Sequence, residues 1–123
     1  MTIQELYSSI DGNYEQAQRI LKMDKLIDRY IRRLKSSGVG EQLAAAAESL
    51  DPKGLFESAH AMKGVCANLG LDKLAELADE ITEEFRPGNS RKLSDEEVKA
   101  KLNKINELFG KTLDEIEKYE RSC

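Results

Sequence analysis

The stretch from Asp51 to Gly70 carries a start signal, a stop signal and an unbroken helical period between them, and it holds the only histidine in the chain. Asp51 is a good N-cap and Pro52 suits the first helical position, where no N–H is needed. Gly70 is the residue type that most often ends a helix in the left-handed conformation. Leu55, Ala59, Met62, Cys66 and Leu69 recur at alternating steps of four and three. At about 100° per residue they form one apolar stripe, with Ser58 and Val65 at its edge. That stripe is a core face. The same rotation puts His60 about 160° from Met62, on the outer face with Lys53, Phe56, Glu57, Lys63, Gly64 and Ala67. The histidine faces water or a partner.

Two neighbours are out of place on an ordinary wet face. Phe56 lies one turn before His60, and Gly64 lies one turn after it in mid-helix, where glycine costs about 1 kcal/mol relative to alanine. A glycine there bares the helix surface beside the imidazole, and Phe56 with Ala67 offers an approaching molecule an apolar footing. Lys63, three residues on, can reach an anion attached to the ring. Imidazole titrates near neutral pH, so a neutral fraction exists that can attack phosphorus while the lysine offsets phosphate charge. Taken alone, an exposed histidine and lysine read as solvated surface. The glycine and the phenylalanine shift that reading toward a site.

The remaining chain is helical by the same period. Thr2 can cap a first helix, Ile3 to Ile10, with Ile3, Leu6, Tyr7 and Ile10 on one side, and Asp11-Gly12-Asn13 is a turn signal. A second short helix carries Tyr14, Ala17 and Leu21. Asp24 caps the next, with Leu26, Ile27, Tyr30, Ile31 and Leu34 as its apolar face. Its basic run, Arg29, Arg32, Arg33 and Lys35, is either solvated surface or a device that steers acidic partners. Ser36 to Gly40 kinks or interrupts the helix before Glu41 to Leu50 resumes it with Leu43, Ala47 and Leu50. The alanine run there suits close packing against a neighbouring helix.

Only Gly70 separates the central helix from the next, whose face is Leu71, Leu74, Ala78, Ile81 and Phe85, so the two are antiparallel neighbours. Pro87 to Lys92 is a loop. Ser94-Asp95-Glu96-Glu97 is a capping box opening a helix of about 26 residues, roughly 39 Å long, with Val98, Leu102, Ile105, Phe109, Thr112, Ile116 and Tyr119 facing one way and Gly110 a weak point. The expected fold is all-α: one domain over residues 1–123, an antiparallel four-helix bundle with two short N-terminal helices across an end.

Charge and composition remove several function classes. A net charge of −4 and the lack of a basic cluster interleaved with aromatics argue against DNA or RNA as a partner. No apolar run approaches a membrane span and the N-terminus lacks a signal-peptide pattern, so a cytoplasmic location is expected. Cys66 belongs to the core stripe and Cys123 is the last residue, so no disulfide is expected between them. His60 and Cys66 point to different faces and no metal site is expected. There is no Gly-x-x-x-x-Gly-Lys-Ser/Thr loop or other phosphate cradle, hence no cofactor and no means of self-phosphorylation from ATP. Glu57 either orients the His60 ring or is a solvent-facing charge.

Ala59-His60-Ala61-Met62-Lys63-Gly64, followed by Asn68-Leu69-Gly70, resembles the signature of histidine-containing phosphotransfer (HPt) domains, with histidine, lysine and both glycines at the family's spacing. The resemblance runs from about Tyr7 to Arg86. Met62, where the family more often has leucine, is a near-isosteric core change. The resemblance implies a phosphoprotein of two-component phosphorelays and no enzyme of its own. His60 would accept a phosphoryl group from a receiver-domain aspartyl phosphate and pass it to another receiver aspartate. Lys63 would support the phosphorylated ring and Gly64 would leave room for the partner. Lys53, Phe56, Glu57 and Ala67 are the partner-binding candidates. Expected partners are response-regulator receiver domains and a hybrid sensor histidine kinase; the oligomeric state is not legible. The competing expectation is an unphosphorylated helical docking scaffold, including a degenerate relative that docks a kinase without relaying phosphate.

Overall fold

The computed structural model describes residues 1–122, and the expectation for Cys123 lies outside them. Those residues form seven α-helices and a single 3-10 turn, with no strand among them. In chain order the helices are α1 (Ile3–Ser9), α2 (Tyr14–Leu21), α3 (Asp24–Arg32), α4 (Val39–Ser49), α5 (Pro52–Asn68), α6 (Asp72–Glu84) and α7 (Asp95–Arg121). α5 packs against α4 and α6, and α7 packs against α6 and α4, which closes a four-helix bundle. α1 and α3 lie against α7, and α2 bridges α3 and α5.

The local signals act as their chemistry dictates. Thr2 and Glu5 form a reciprocal capping box at α1, and Ser94 and Glu97 form one at α7. Asp51 accepts a hydrogen bond from the Gly54 N–H at 3.0 Å, with Pro52 at the first turn of α5. The stripe Leu55, Ala59, Met62, Cys66 and Leu69 is buried throughout. Taking Leu55, Met62 and Leu69 out of water contributes about 1.5–3 kcal/mol each. All seven apolar-face residues of α7 and all five of α6 are buried as well. α7 runs unbroken through Gly110.

The α5–α6 turn is locked from the N-terminal end of the chain. Gly70 has φ +70°, and a Cβ there would stand 2.2 Å from the Asn13 carbonyl oxygen. The Asn13 N–H donates to the Gly70 carbonyl at 2.7 Å, and the Tyr7 hydroxyl donates to the Leu69 carbonyl at 2.6 Å. Asn13 also reaches the Asp72 carboxylate at 3.0 Å. α1 and α2 thereby cover the end of the bundle where α5 hands over to α6.

Several local expectations are corrected. Asp24 does not cap α3: Met23 takes that position without a side-chain hydrogen bond, because the Asp24 carboxylate is taken by the Tyr14 hydroxyl and the Gln18 amide of α2. Tyr30 is 44% exposed rather than buried, and lines an open groove of about 410 Å³ with Leu21, Leu34 and Val65. The break after α3 is an interruption, a 3-10 turn over Lys35–Ser37 followed by left-handed Gly38. α4 therefore starts earlier than expected, and Val39 joins the core. Close packing at the alanine run holds at Ala46, 3.3 Å from where a Cβ on Gly54 would stand, whereas Ala44 and Ala45 face solvent.

The loop after α6 is tied down by a residue that periodicity does not mark. Glu84 is buried and accepts hydrogen bonds from the Arg91 guanidinium at 2.8 Å and from the Lys92 and Leu93 N–H groups. Burial pushes its carboxyl up, but those bonds and the Arg91 charge outweigh burial and hold it below the usual glutamate value. Arg91 also lies over the Phe85 ring at 4.4 Å.

Candidate functional site

The outer face of α5 is where the candidate residues meet. His60 is exposed, and its ring lies nearly parallel to Phe56 one turn earlier, with centroids 5.8 Å apart and planes at 13°. Spacing of four residues brings the two rings together, and Phe56 in turn packs on the core. Phe56 is thus half-buried, not the wet residue that helix rotation alone places there. The reason is tertiary: the closed bundle packs Phe56 against the core, and Arg86, just past the end of α6, sets its guanidinium 5.3 Å from the ring centroid. Among the described residues His60 makes no hydrogen bond or ion pair, so its ring nitrogens have no protein partner to compete with an incoming group.

Gly64 is exposed, and a Cβ built on it meets nothing within 4 Å. The surface beside the imidazole is open. Ala67 is half-buried on the same face, one turn further. Lys63 points sideways toward α6, where its Nζ lies 2.7 Å from Asp79 Oδ1, with the two side chains 39% and 42% exposed. Lys53 and Glu57 are both exposed and face each other at 3.9 Å. Glu57 is engaged with that lysine and forms no bond to the His60 ring. The structure therefore gathers His60, Phe56, Lys63 and Gly64 into one patch and leaves Lys53 and Glu57 as a solvated pair on its N-terminal side.

Sequence reasoning missed the contribution of α6. Asp79, Glu83 and Arg86 border the patch: Asp79 holds Lys63, and Glu83 Oε2 lies 2.6 Å from Arg86 Nε. A signal was present, because the tight turn at Gly70 sets the antiparallel register and brings Asp79 opposite Lys63. Cys66, six residues after His60, is fully buried on the far side of α5, and burial pushes its thiol up to about 12. It stays protonated at neutral pH and takes no part in surface chemistry.

Among the described residues no group of three His, Cys, Asp or Glu side chains is placed to hold a metal ion. No helix among them is long and apolar enough to cross a membrane. What the patch can do is accept an electrophile at an exposed ring nitrogen, beside a lysine and an open surface. The Hpt domain family model matches the chain over residues 15–118. No curated protein and no solved structure matches it.

Proposed function

The chain belongs to the Hpt domain family, and we propose that residues 1–123 form one domain that carries a phosphoryl group on His60. Hpt domains serve phosphotransfer in phosphorelays as carriers rather than as catalysts, and they interact with receiver domains and kinases. Within that frame, this chain takes a phosphoryl group from a receiver aspartyl phosphate and hands it to a second receiver. An unprotonated nitrogen of His60 attacks phosphorus, the N–P bond forms, and the O–P bond breaks with its electron pair leaving on the aspartate carboxylate. The reverse step regenerates the imidazole, so the cycle consumes no other reactant. A cytoplasmic location, where receiver domains would meet it, goes with this reading.

The observation that supports it most is the combination at one helix face of an exposed, unbonded imidazole with open space over Gly64. A nucleophile held against a rigid ring loses little orientational freedom on attack, which lowers the entropic part of the barrier. Phe56 supplies that ring, stacked at 13°. Lys63 supplies positive charge for the phosphoryl oxygens. Gly64 lets the receiver's loops come close, with Ala67, Lys53 and Glu57 at the rim of the contact.

The test is transfer of label from a phosphorylated receiver domain to the native chain and to His60→Gln. Acid-labile, base-stable label on the native chain alone supports the carrier. Binding to receivers without label on either chain refutes it and leaves the docking scaffold.

A further inference from the structure

Three cations lie on the His60 face or against its Phe56 neighbour, and each is held by a carboxylate: Lys53 by Glu57, Lys63 by Asp79 and Arg86 by Glu83. Two of these pairs are local, spaced three or four residues along the chain. The third is different. Lys63 of α5 crosses to Asp79 of α6, so its partner is set by the packing of two helices and not by one helix alone.

We propose that Asp79 is a positioning residue that parks the Lys63 ammonium away from His60 and sets how strongly the site retains a phosphoryl group. This rests on the carrier reading above. A phosphoryl group brings close to two negative charges and three acceptor oxygens to the imidazole. Lys63 carries three donors on a flexible stem, three residues from His60 along the helix, and can turn toward those oxygens. Its bond to Asp79 is half-exposed, and exposed ion pairs are weak, so the ammonium can be drawn away. Asp79 competes with the phosphoryl group for the Lys63 ammonium. That competition opposes retention. A carrier has to release what it accepts, and a carboxylate that keeps a claim on the lysine holds the two states near balance.

The test uses phosphoramidate as the donor, so that no receiver is needed. Its P–N bond breaks, ammonia leaves, and an N–P bond forms on His60. At fixed phosphoramidate and excess ammonium, the phosphohistidine occupancy by phosphorus NMR gives the equilibrium constant. Asp79→Asn is expected to raise it about three- to tenfold, as for freeing one ammonium to meet the phosphoryl charge at a half-exposed site. Asp79→Glu should keep the native value. On a Lys63→Met background the Asp79→Asn effect should shrink below about twofold, because Asp79 acts through the lysine. Absence of phosphohistidine on the native chain overturns the carrier reading and this inference together. Native phosphorylation with an unchanged constant in Asp79→Asn, or an equal change on both backgrounds, overturns this inference alone. Both side chains are half-exposed, and circular dichroism of each variant checks that the bundle is retained.

Discussion

Replacing Gly64 should move stability and phosphotransfer in opposite directions. The residue sits inside α5 with helical neighbours on both sides, and a Cβ there meets no atom within 4 Å. Alanine at such a position adds no clash and removes the entropy cost of glycine, a gain of about 0.5–1 kcal/mol. For a chain of this size that gain raises Tm by roughly 2–4 °C. Leucine shares the favourable helix propensity and should gain slightly less. A receiver, however, must bring its aspartyl phosphate to His60 across that same space. A leucine side chain holds the partner away by more than 1 Å, and a misplacement of that order costs on the order of 10²-fold in rate. Alanine should cost less, about threefold to tenfold, in line with the smaller displacement. The assay pairs thermal unfolding with initial rates of label transfer from a phosphorylated receiver, and repeats phosphorylation with phosphoramidate. The small donor should react with all three chains within about twofold, since it needs no wide approach. A lower Tm for Gly64→Ala would refute the claim that the position is sterically free. Native transfer rates in Gly64→Leu would refute the claim that the glycine exists for partner access.

Gly70 makes the opposite case: Gly70→Ala should lose about 2–4 kcal/mol in urea unfolding, because the new Cβ meets the Asn13 carbonyl and the backbone φ is positive; a loss below about 1 kcal/mol would show that the N-terminal segment yields. His60→Gln should unfold within about 0.5 kcal/mol of the native chain, since the ring is exposed and unbonded, while losing all acid-labile label. Glu84 has its folded-state carboxyl below the usual glutamate value, so its contribution is fully present above that usual value and disappears as pH falls through the lowered one. Glu84→Gln should therefore be less stable than the native chain at pH 7, with the gap in urea midpoint closing toward pH 3. A gap that does not change with pH would assign the role of Glu84 to packing. Tyr7→Phe should cost about 1–2 kcal/mol by leaving the buried Leu69 carbonyl without its donor, read by the same urea titration.

Helix order, the bundle class and nearly every core position are legible in the residue spacing alone. The stripe on α5, the five-residue face of α6 and the seven-residue face of α7 are all buried as their spacing predicts. Each depends on a rotation of about 100° per residue, which is a property of one helix in isolation. The errors share a cause of the other kind. Asp24 looked like a cap because its carboxylate was assumed to be free for its own backbone, yet α2 supplies Tyr14 and Gln18 to claim it. Tyr30 looked like core because its helix face is apolar, but α3 turns that residue onto an open groove. Phe56 looked wet, but the closed bundle packs it against the core with Arg86 over its ring.

The same division runs through the candidate site. Which side chains share the outer face of α5, and that Gly64 leaves that face bare, follow from helical periodicity alone, because neighbours three and four apart meet whatever the rest of the chain does. Where Lys63 points is another matter. Its long flexible stem has no preferred direction within its own helix, and the choice of Asp79 comes from the register in which α6 folds back at Gly70. That register is held in turn by Asn13 and Tyr7, more than fifty residues away in the chain, through bonds to the Gly70 and Leu69 carbonyls. Short-range order is written into residue spacing, whereas the charge that Lys63 faces beside His60 is decided by how the bundle closes.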